Sequence, residues 1–210
     1  MQPTSITKIF RLLADSFPNP QTELIYKNNY QLLIAVILSA QATDISVNRV
    51  TATLFSDAPT PDLMVQLGEK EIKNHIKSIG LSNTKAKNVL NTSRIIIEKY
   101  NSKIPDTREE LETLPGVGRK TAGVVLNVAF GEATIPVDTH VFRVSNRLGL
   151  VKTKSATETE KKLLKIVPKK LLPKAHHLLI LHGRYVCKAR KPACSDCCIR
   201  LHCEYQAKTV

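Results

Sequence analysis

The 210-residue chain has no cysteine before position 187. Scattered cysteine pairs, the pattern of a disulfide-stapled secreted domain, are thereby excluded. Long apolar runs are also missing. The longest, Leu32 to Leu38, falls far short of the roughly 20 residues that cross a bilayer. No charged-then-apolar signal pattern opens the chain, so the expectation is a cytoplasmic protein with no membrane partner. No stretch alternates apolar and polar residues with the period of two that a half-buried strand needs. Acidic residues are scarce in the last third: residues 1–138 carry 15 Lys and Arg against 14 Asp and Glu, whereas residues 139–210 carry 16 against 4. That asymmetry points to a polyanionic partner, most simply nucleic acid.

What is present is a globular, helix-forming chain with 42% hydrophobic residues, enough for one or two domains with a real core. Ser5 can cap a first helix whose apolar face is Ile6, Phe10, Leu13 and Phe17, ended by Pro18 and Pro20. Residues 30–40 are apolar all round, as a buried central helix is. Thr43 or Asp44 can cap the helix that follows. Pro61 and Asp62 open a short helix through Leu67. Glu69 to Ile79 and Lys85 to Tyr100 continue the pattern on either side of a turn at Gly80-Leu81-Ser82-Asn83. Pro105 starts a short helix through Leu114. Residues 78–90 echo residues 114–126, with Gly80 and Gly116 aligned, which suggests two helix–turn–helix units built alike. Ser155 and Glu158 match a capping box, and Pro173 opens a last helix through about Tyr185. The fold class is all-α, with eight to ten short helices.

Three features carry chemistry. The first is Leu114-Pro-Gly-Val-Gly-Arg-Lys-Thr-Ala122, a Gly-Pro hairpin leading into an apolar helix. Gly116 and Gly118 permit positive φ and close backbone approach. A helix starting near Arg119 points N–H groups out of the hairpin, where they suit a phosphate, and puts Lys120 in its first turn. The second is Asp138, placed as an N-cap after a Gly/Pro loop, with Val137 and Phe142 able to staple it. The third is the spacing C-x6-C-x2-C-x5-C formed by Cys187, Cys194, Cys197 and Cys203. Four soft ligands on one loop can bind zinc or an iron–sulfur cluster, and the spacing alone does not choose. Cys198 reads as a bystander. Lys188, Arg190 and Lys191 lie inside the loop, where a metal-pinned backbone would hold them for phosphate contacts.

Five stretches together, residues 32–44 (Leu-Leu-Ile-Ala-Val-Ile-Leu-Ser-Ala-Gln-Ala-Thr-Asp), 114–122, 137–144 (Val-Asp-Thr-His-Val-Phe-Arg-Val), 181–185 (Leu-His-Gly-Arg-Tyr) and the four-cysteine loop, resemble the helix–hairpin–helix, Gly/Pro–Asp family of DNA glycosylases in its bifunctional, endonuclease III branch. The resemblance covers essentially the whole chain. It implies two helical domains with a DNA cleft between them: a six-helix barrel (22–133) with the helix–hairpin–helix at about 107–127, and a discontinuous domain (1–21 plus 134–210) holding a [4Fe-4S] cluster in loop 187–203. It implies a nucleoid-associated monomer that acts on double-stranded DNA with damaged pyrimidines or abasic sites. A base inside a duplex is out of reach, so the nucleotide is flipped. Lys120 is then the nucleophile on the sugar C1′, and Asp138 assists proton transfer or stabilises charge on the sugar. The positive end of a helix disfavours an ammonium ion and so favours a nucleophilic amine. By the same resemblance, Gln41 fills the gap left by the flipped nucleotide and Leu81 wedges the opposite strand, while Gly116, Val117, Gly118 and Arg119 grip the backbone. Glu112 and His140 read as a surface acid and a packed histidine, with pocket lining as the alternative for each. An adenine-mismatch glycosylase of the same family lacks the lysine. A non-catalytic DNA-binding module or an electron carrier leaves Lys120 and Asp138 without a role.

Overall fold

Nine consecutive residues, Tyr30 to Leu38, are buried in helix α2 (Asn29–Leu38). A helix that is apolar on every side has to be surrounded, and the elements from residue 23 to 130 pack around it as one compact unit. The computed structural model describes residues 3–209 and contains no strand among them. Helix α1 spans Pro3–Ser16. After α2 come α3 (Asp44–Asp57), α4 (Pro61–Ile76), α5 (Ser82–Tyr100), α6 (Arg108–Leu111) and α7 (Arg119–Phe130). Within this unit α2 lies against α3, α5 and α7, and α4 pairs with both α3 and α5.

The boundaries follow from local chemistry. Asn28 caps α2 by accepting from Gln31 N–H at 2.9 Å. Thr43, not Asp44, caps α3, accepting from Ser46 N–H at 3.2 Å. Thr60 caps α4 with Pro61 in the first turn. Inside α4, Gly68 takes φ 78 and ψ 164, so the helix breaks between Leu67 and Glu69, where the sequence reading separates two helices. Two expectations fail. Ser5 lies inside α1, which already runs at Pro3. Pro105 opens no helix; Thr107 caps the four-residue α6 instead, accepting from Glu110 N–H at 3.3 Å.

Residues up to 22 and from 131 onward form the other compact unit. It holds α1, α8 (Thr139–Leu148), α9 (Ala156–Ile166) and α10 (Leu172–Tyr185), with short 3-10 turns at Lys169–Leu171 and Arg200–His202. Helix α10 packs against both α1 and α8, and α8 touches α9. Ser155 caps α9, and the Glu158 carboxylate accepts from Lys154 N–H at 3.2 Å. The capping box thus closes one residue earlier than its usual form. Ile9, Phe10 and Leu13 of α1 are fully buried with Leu179 of α10 and Ile199 of the cysteine loop in the same core.

That arrangement makes the N-terminal helix a structural part of the C-terminal unit. Phe10→Ala removes a fully buried ring and should cost about 3–5 kcal/mol. Chemical denaturation followed by circular dichroism measures the loss.

Candidate DNA-repair active site

The hairpin between α6 and α7 is held from below. Val117 is buried, and its N–H donates to Leu114 O at 3.0 Å. Thr92 of α5 donates its hydroxyl to Pro115 O at 2.9 Å. Gly116 takes φ 80, and a Cβ there would meet Asn88 Nδ2 at 2.9 Å and Ile37 Cγ2 at 3.2 Å. Only glycine satisfies both the backbone and the close approach. Gly118 does not take positive φ; it leaves open space at the tip, with nothing within 4 Å of its missing Cβ. The first i to i−4 bond of α7 is Ala122 N–H to Gly118 O at 2.9 Å, so the N–H groups of Arg119, Lys120 and Thr121 precede the helical ladder. Gly118, Arg119 and Lys120 are exposed there, and α7 has no acidic residue in its first turn. An exposed helix start without a carboxylate suits an anion. Val117 serves as the anchor beneath that surface.

Glu112 is exposed and lies 3.7 Å from the Arg108 guanidinium. Arg108 also donates to Arg119 O at 3.2 Å, tying α6 to the first turn of α7.

Gln41 and Leu81 share a conformation that the sequence does not announce. Gln41 follows α2 at φ 53 and Leu81 precedes α5 at φ 61. Both are exposed, Leu81 by 55%. A left-handed backbone costs a non-glycine residue about 1–2 kcal/mol, and such strain gathers at working positions. The aligned Gly80 has no positive φ; the left-handed residue is Leu81 in one turn and Gly116 in the other. The two helix–turn–helix segments therefore differ at the residue that turns the chain.

Asp138 caps α8. Its Oδ1 accepts from His140 N–H at 2.9 Å and from Val141 N–H at 2.8 Å, and its Oδ2 lies 3.3 Å from His140 Nδ1. Burial opposes its ionisation, but hydrogen bonds from the His140 ring and Val141 N–H, with the charges of His140 and His176, hold the carboxyl below the usual carboxylate range. His140 is partly exposed and turned onto Asp138.

Two arginines on successive turns of α8 grip the start of the cysteine loop. Arg143 donates to Cys187 O at 3.1 Å and to Gly183 O at 2.9 Å. Arg147 donates to Lys188 O at 2.8 Å and Ala189 O at 3.0 Å, lies 3.6 Å from Cys187 Sγ, and stacks 4.4 Å over the Tyr205 ring. Gly183 allows α8 this close, since a Cβ there would meet His140 Cβ at 2.9 Å. Lys188, Arg190 and Lys191 project into solvent from the loop, Lys191 at φ 49.

Cys187, Cys197 and Cys203 pack against the apolar core, whereas Cys198 is exposed. No three Cys, His, Asp or Glu side chains among the described residues converge as one metal ion requires. The thiols nevertheless act on one another. Cys197 is pushed up to about 11, by burial first, with the neighbouring Cys198, Cys203 and Cys187 adding to the rise against the Ile199 N–H. Burial raises Cys203 too, and Cys187 and Cys194 add to it. Burial thus disfavours the thiolates of Cys197 and Cys203, and the charge of their neighbours in the loop adds to it. Four thiol donors on one loop have the chemistry to hold an iron–sulfur group, and the same donors suit zinc.

Residues 34–169 match the description of the HhH-GPD superfamily of base excision DNA repair proteins. The endonuclease III of Rickettsia prowazekii (strain Madrid E) is 56% identical over 209 residues, covering 100% of this chain and 99% of that protein. The endonuclease III of Escherichia coli (strain K12) is 53% identical over 201 residues, covering 96% and 95%. The chain belongs to the HhH-GPD superfamily of base excision DNA repair proteins. Within it the chain is a DNA glycosylase of the endonuclease III type. The solved structure of a trapped endonuclease III–DNA covalent intermediate aligns with a TM-score of 0.91 at 45% identity, covering 97% of this chain and 96% of that one. A thermostable thymine-DNA glycosylase shares the fold, with a TM-score of 0.86 at 24% identity.

Arg143, Arg147 and His182 are the residues that the sequence reading of this HhH-GPD chain passes over. Two arginines four apart on a helix that starts at Asp138 were the available signal, since that spacing puts both on one face. Their acceptors, some 40 residues away, carry no mark in sequence.

Leu81→Gly tests the strained turn. It should relieve roughly 1 kcal/mol of backbone strain, so stability to urea should hold or rise while turnover on a lesion duplex falls. Lower stability together with full turnover would make Leu81 ordinary packing.

Proposed function

We propose that this chain excises oxidised pyrimidine bases from double-stranded DNA at the nucleoid and then cuts the strand at the abasic site. The observation that carries the reading is Lys120, exposed in the first turn of a helix whose hairpin entry is open to a phosphate. The hairpin N–H groups and Arg119 hold the DNA backbone. Gln41 and Leu81, already in their strained conformations, enter the stack as the damaged nucleotide leaves it. The Lys120 Nζ lone pair attacks C1′, the C1′–base bond breaks, and the departing base takes a proton from water. The resulting ammonium gives one proton to Asp138, the C1′–O4′ bond breaks as O4′ takes up a proton, and an iminium is left between Nζ and C1′. That iminium acidifies C2′; loss of a C2′ proton expels the 3′ phosphate, and water releases the sugar from the lysine. Asp138, kept ionised by its cap bonds, stabilises positive charge on the sugar and accepts the proton that the attacking amine sheds. A likeness of 45% identity to an endonuclease III trapped covalently on DNA supports this route.

We infer that Cys187, Cys194, Cys197 and Cys203 hold a [4Fe-4S] cluster. Bound there, the cluster would supply a structural tie, holding residues 187 to 203 as one loop. Lys188, Arg190 and Lys191 then meet DNA phosphates from a fixed backbone.

Lys120→Gln should bind a lesion duplex nearly as well as the parent protein, while borohydride trapping of a covalent complex is lost. Trapping that persists would move the nucleophile elsewhere. Asp138→Asn keeps a good helix cap and removes only the charge. Melting temperature at neutral pH should fall while the fold is kept, and turnover should drop by about 100-fold or more. The charged cap itself contributes stability that is present above about pH 4 and lost as pH falls through its depressed folded value, so the parent and Asp138→Asn proteins should converge in stability only in strong acid. Elemental analysis should find about four irons per chain, and stripping them should weaken duplex binding and its salt dependence together.

A further inference from the structure

The stretch Leu181 to Tyr185 counts towards the family resemblance, yet no step of the reaction above uses His182. Its side chain lies inside α10, with the residue 1% exposed. Its Nε2 lies 3.8 Å from Cys197 Sγ, within reach for a hydrogen bond to sulfur. Its Nδ1 is buried without a hydrogen-bond partner. Among the described residues the ring therefore has a single polar contact, and that contact is a cysteine of the proposed cluster.

The choice of tautomer follows. A proton on Nε2 faces the sulfur and leaves only a lone pair unmet at Nδ1. A proton on Nδ1 would strand a buried N–H, the rarer and costlier defect. A cysteine that ligates metal is a thiolate with no proton of its own. Once Cys197 is a ligand, the only hydrogen available to the contact is the imidazole's. The Ile199 N–H also acts on Cys197 and the Tyr205 N–H on Cys203; the remaining side-chain contacts to sulfur differ in kind. Arg147 divides its guanidinium between Cys187 Sγ and two carbonyl oxygens. Cys203 Sγ faces the Arg147 carbonyl oxygen at 3.5 Å, which is an acceptor and donates nothing.

We propose that His182 Nε2–H donates a hydrogen bond to the Cys197 thiolate and so sets the reduction potential of the cluster. This rests on the four-cysteine cluster reading. A donor on a ligating sulfur draws negative charge off it and favours the more reduced state, so its loss lowers the potential. His182 is a positioning and tuning residue; it touches no substrate.

The experiment uses the full-length, cluster-loaded protein with His182→Leu and His182→Gln. Iron analysis comes first: one zinc ion in place of iron in the parent overturns the cluster reading and the proposal with it. With about four irons per chain in all three proteins, mediated voltammetry decides the rest. His182→Leu should show a lower midpoint potential, with a roughly tenfold change in the one-electron equilibrium, about 59 mV. His182→Gln, whose amide N–H can reach the same sulfur, should stay near the parent. Equal potentials in the parent and His182→Leu with intact clusters overturn the proposal. A measurement on the parent alone covers the case in which Leu does not fold. With 15N-labelled histidine, pulsed paramagnetic resonance should detect a histidine nitrogen coupled to the cluster, and the absence of that coupling overturns the proposal.

Discussion

Two backbone N–H groups at the start of α8 decide what Asp138 is. They hold one carboxylate oxygen at 2.9 and 2.8 Å, and together with the hydrogen bond from the His140 ring they hold the carboxyl below the usual carboxylate range in spite of its burial. A carboxylate used against a cationic sugar has to be ionised and partly desolvated together, and those demands conflict in most settings. A helix N-terminus reconciles them, because unpaired donors and the positive end of the helix act on the same atom. The rest of α8 extends the arrangement. One turn along, Arg143 secures the backbone at Gly183 and Cys187; a turn later, Arg147 secures Lys188 and Ala189. A single helix thus carries the proposed catalytic carboxylate at its start and the anchor of the basic loop along its length.

In the proposed function the hairpin offers DNA its backbone where the cysteine loop offers side chains. Val117 and Thr92 tie the hairpin down, Gly116 fits where no Cβ does, and Gly118 stays open. Gln41, Leu81 and Lys191 complete the pattern with left-handed backbones outside glycine. Each of the three is exposed, so the strain is held by the turn itself. Strain kept in the free protein lowers what remains to be ordered when a ligand arrives.

Much of the fold was legible because its rules are local. Residues 30–40 read as buried in every direction; 30–38 are, while Ser39 is half-buried and Ala40 is exposed beyond the end of α2. Asp138, Thr43 and Ser155 read as caps from their own neighbours, and each accepts a hydrogen bond within the next three residues. The misreadings fall where a residue type permits a conformation without demanding it. Gly118 allows positive φ and does not use it; Leu81 ought to avoid the left-handed region and occupies it. Pro105 could have begun a helix, but Thr107 offers the better cap.

The amino-acid sequence by itself determined the inventory: helical class, basic last third, hairpin glycines, Lys120, a capped Asp138 and four spaced cysteines. Each rests on composition or on neighbours within about four residues, which covalent connection already brings together. Tertiary structure alone decided which of the adjacent Cys197 and Cys198 packs inward, which carbonyls Arg143 and Arg147 hold, and that the one polar contact of the His182 ring among the described residues is a sulfur. Those partners lie 15 to 44 residues apart, and only the packing of α8, α10 and the cysteine loop into one core brings them within hydrogen-bond distance. The hairpin that resembles any tight turn in sequence became an open helix start once Val117 was drawn inward and Gly118 was left clear.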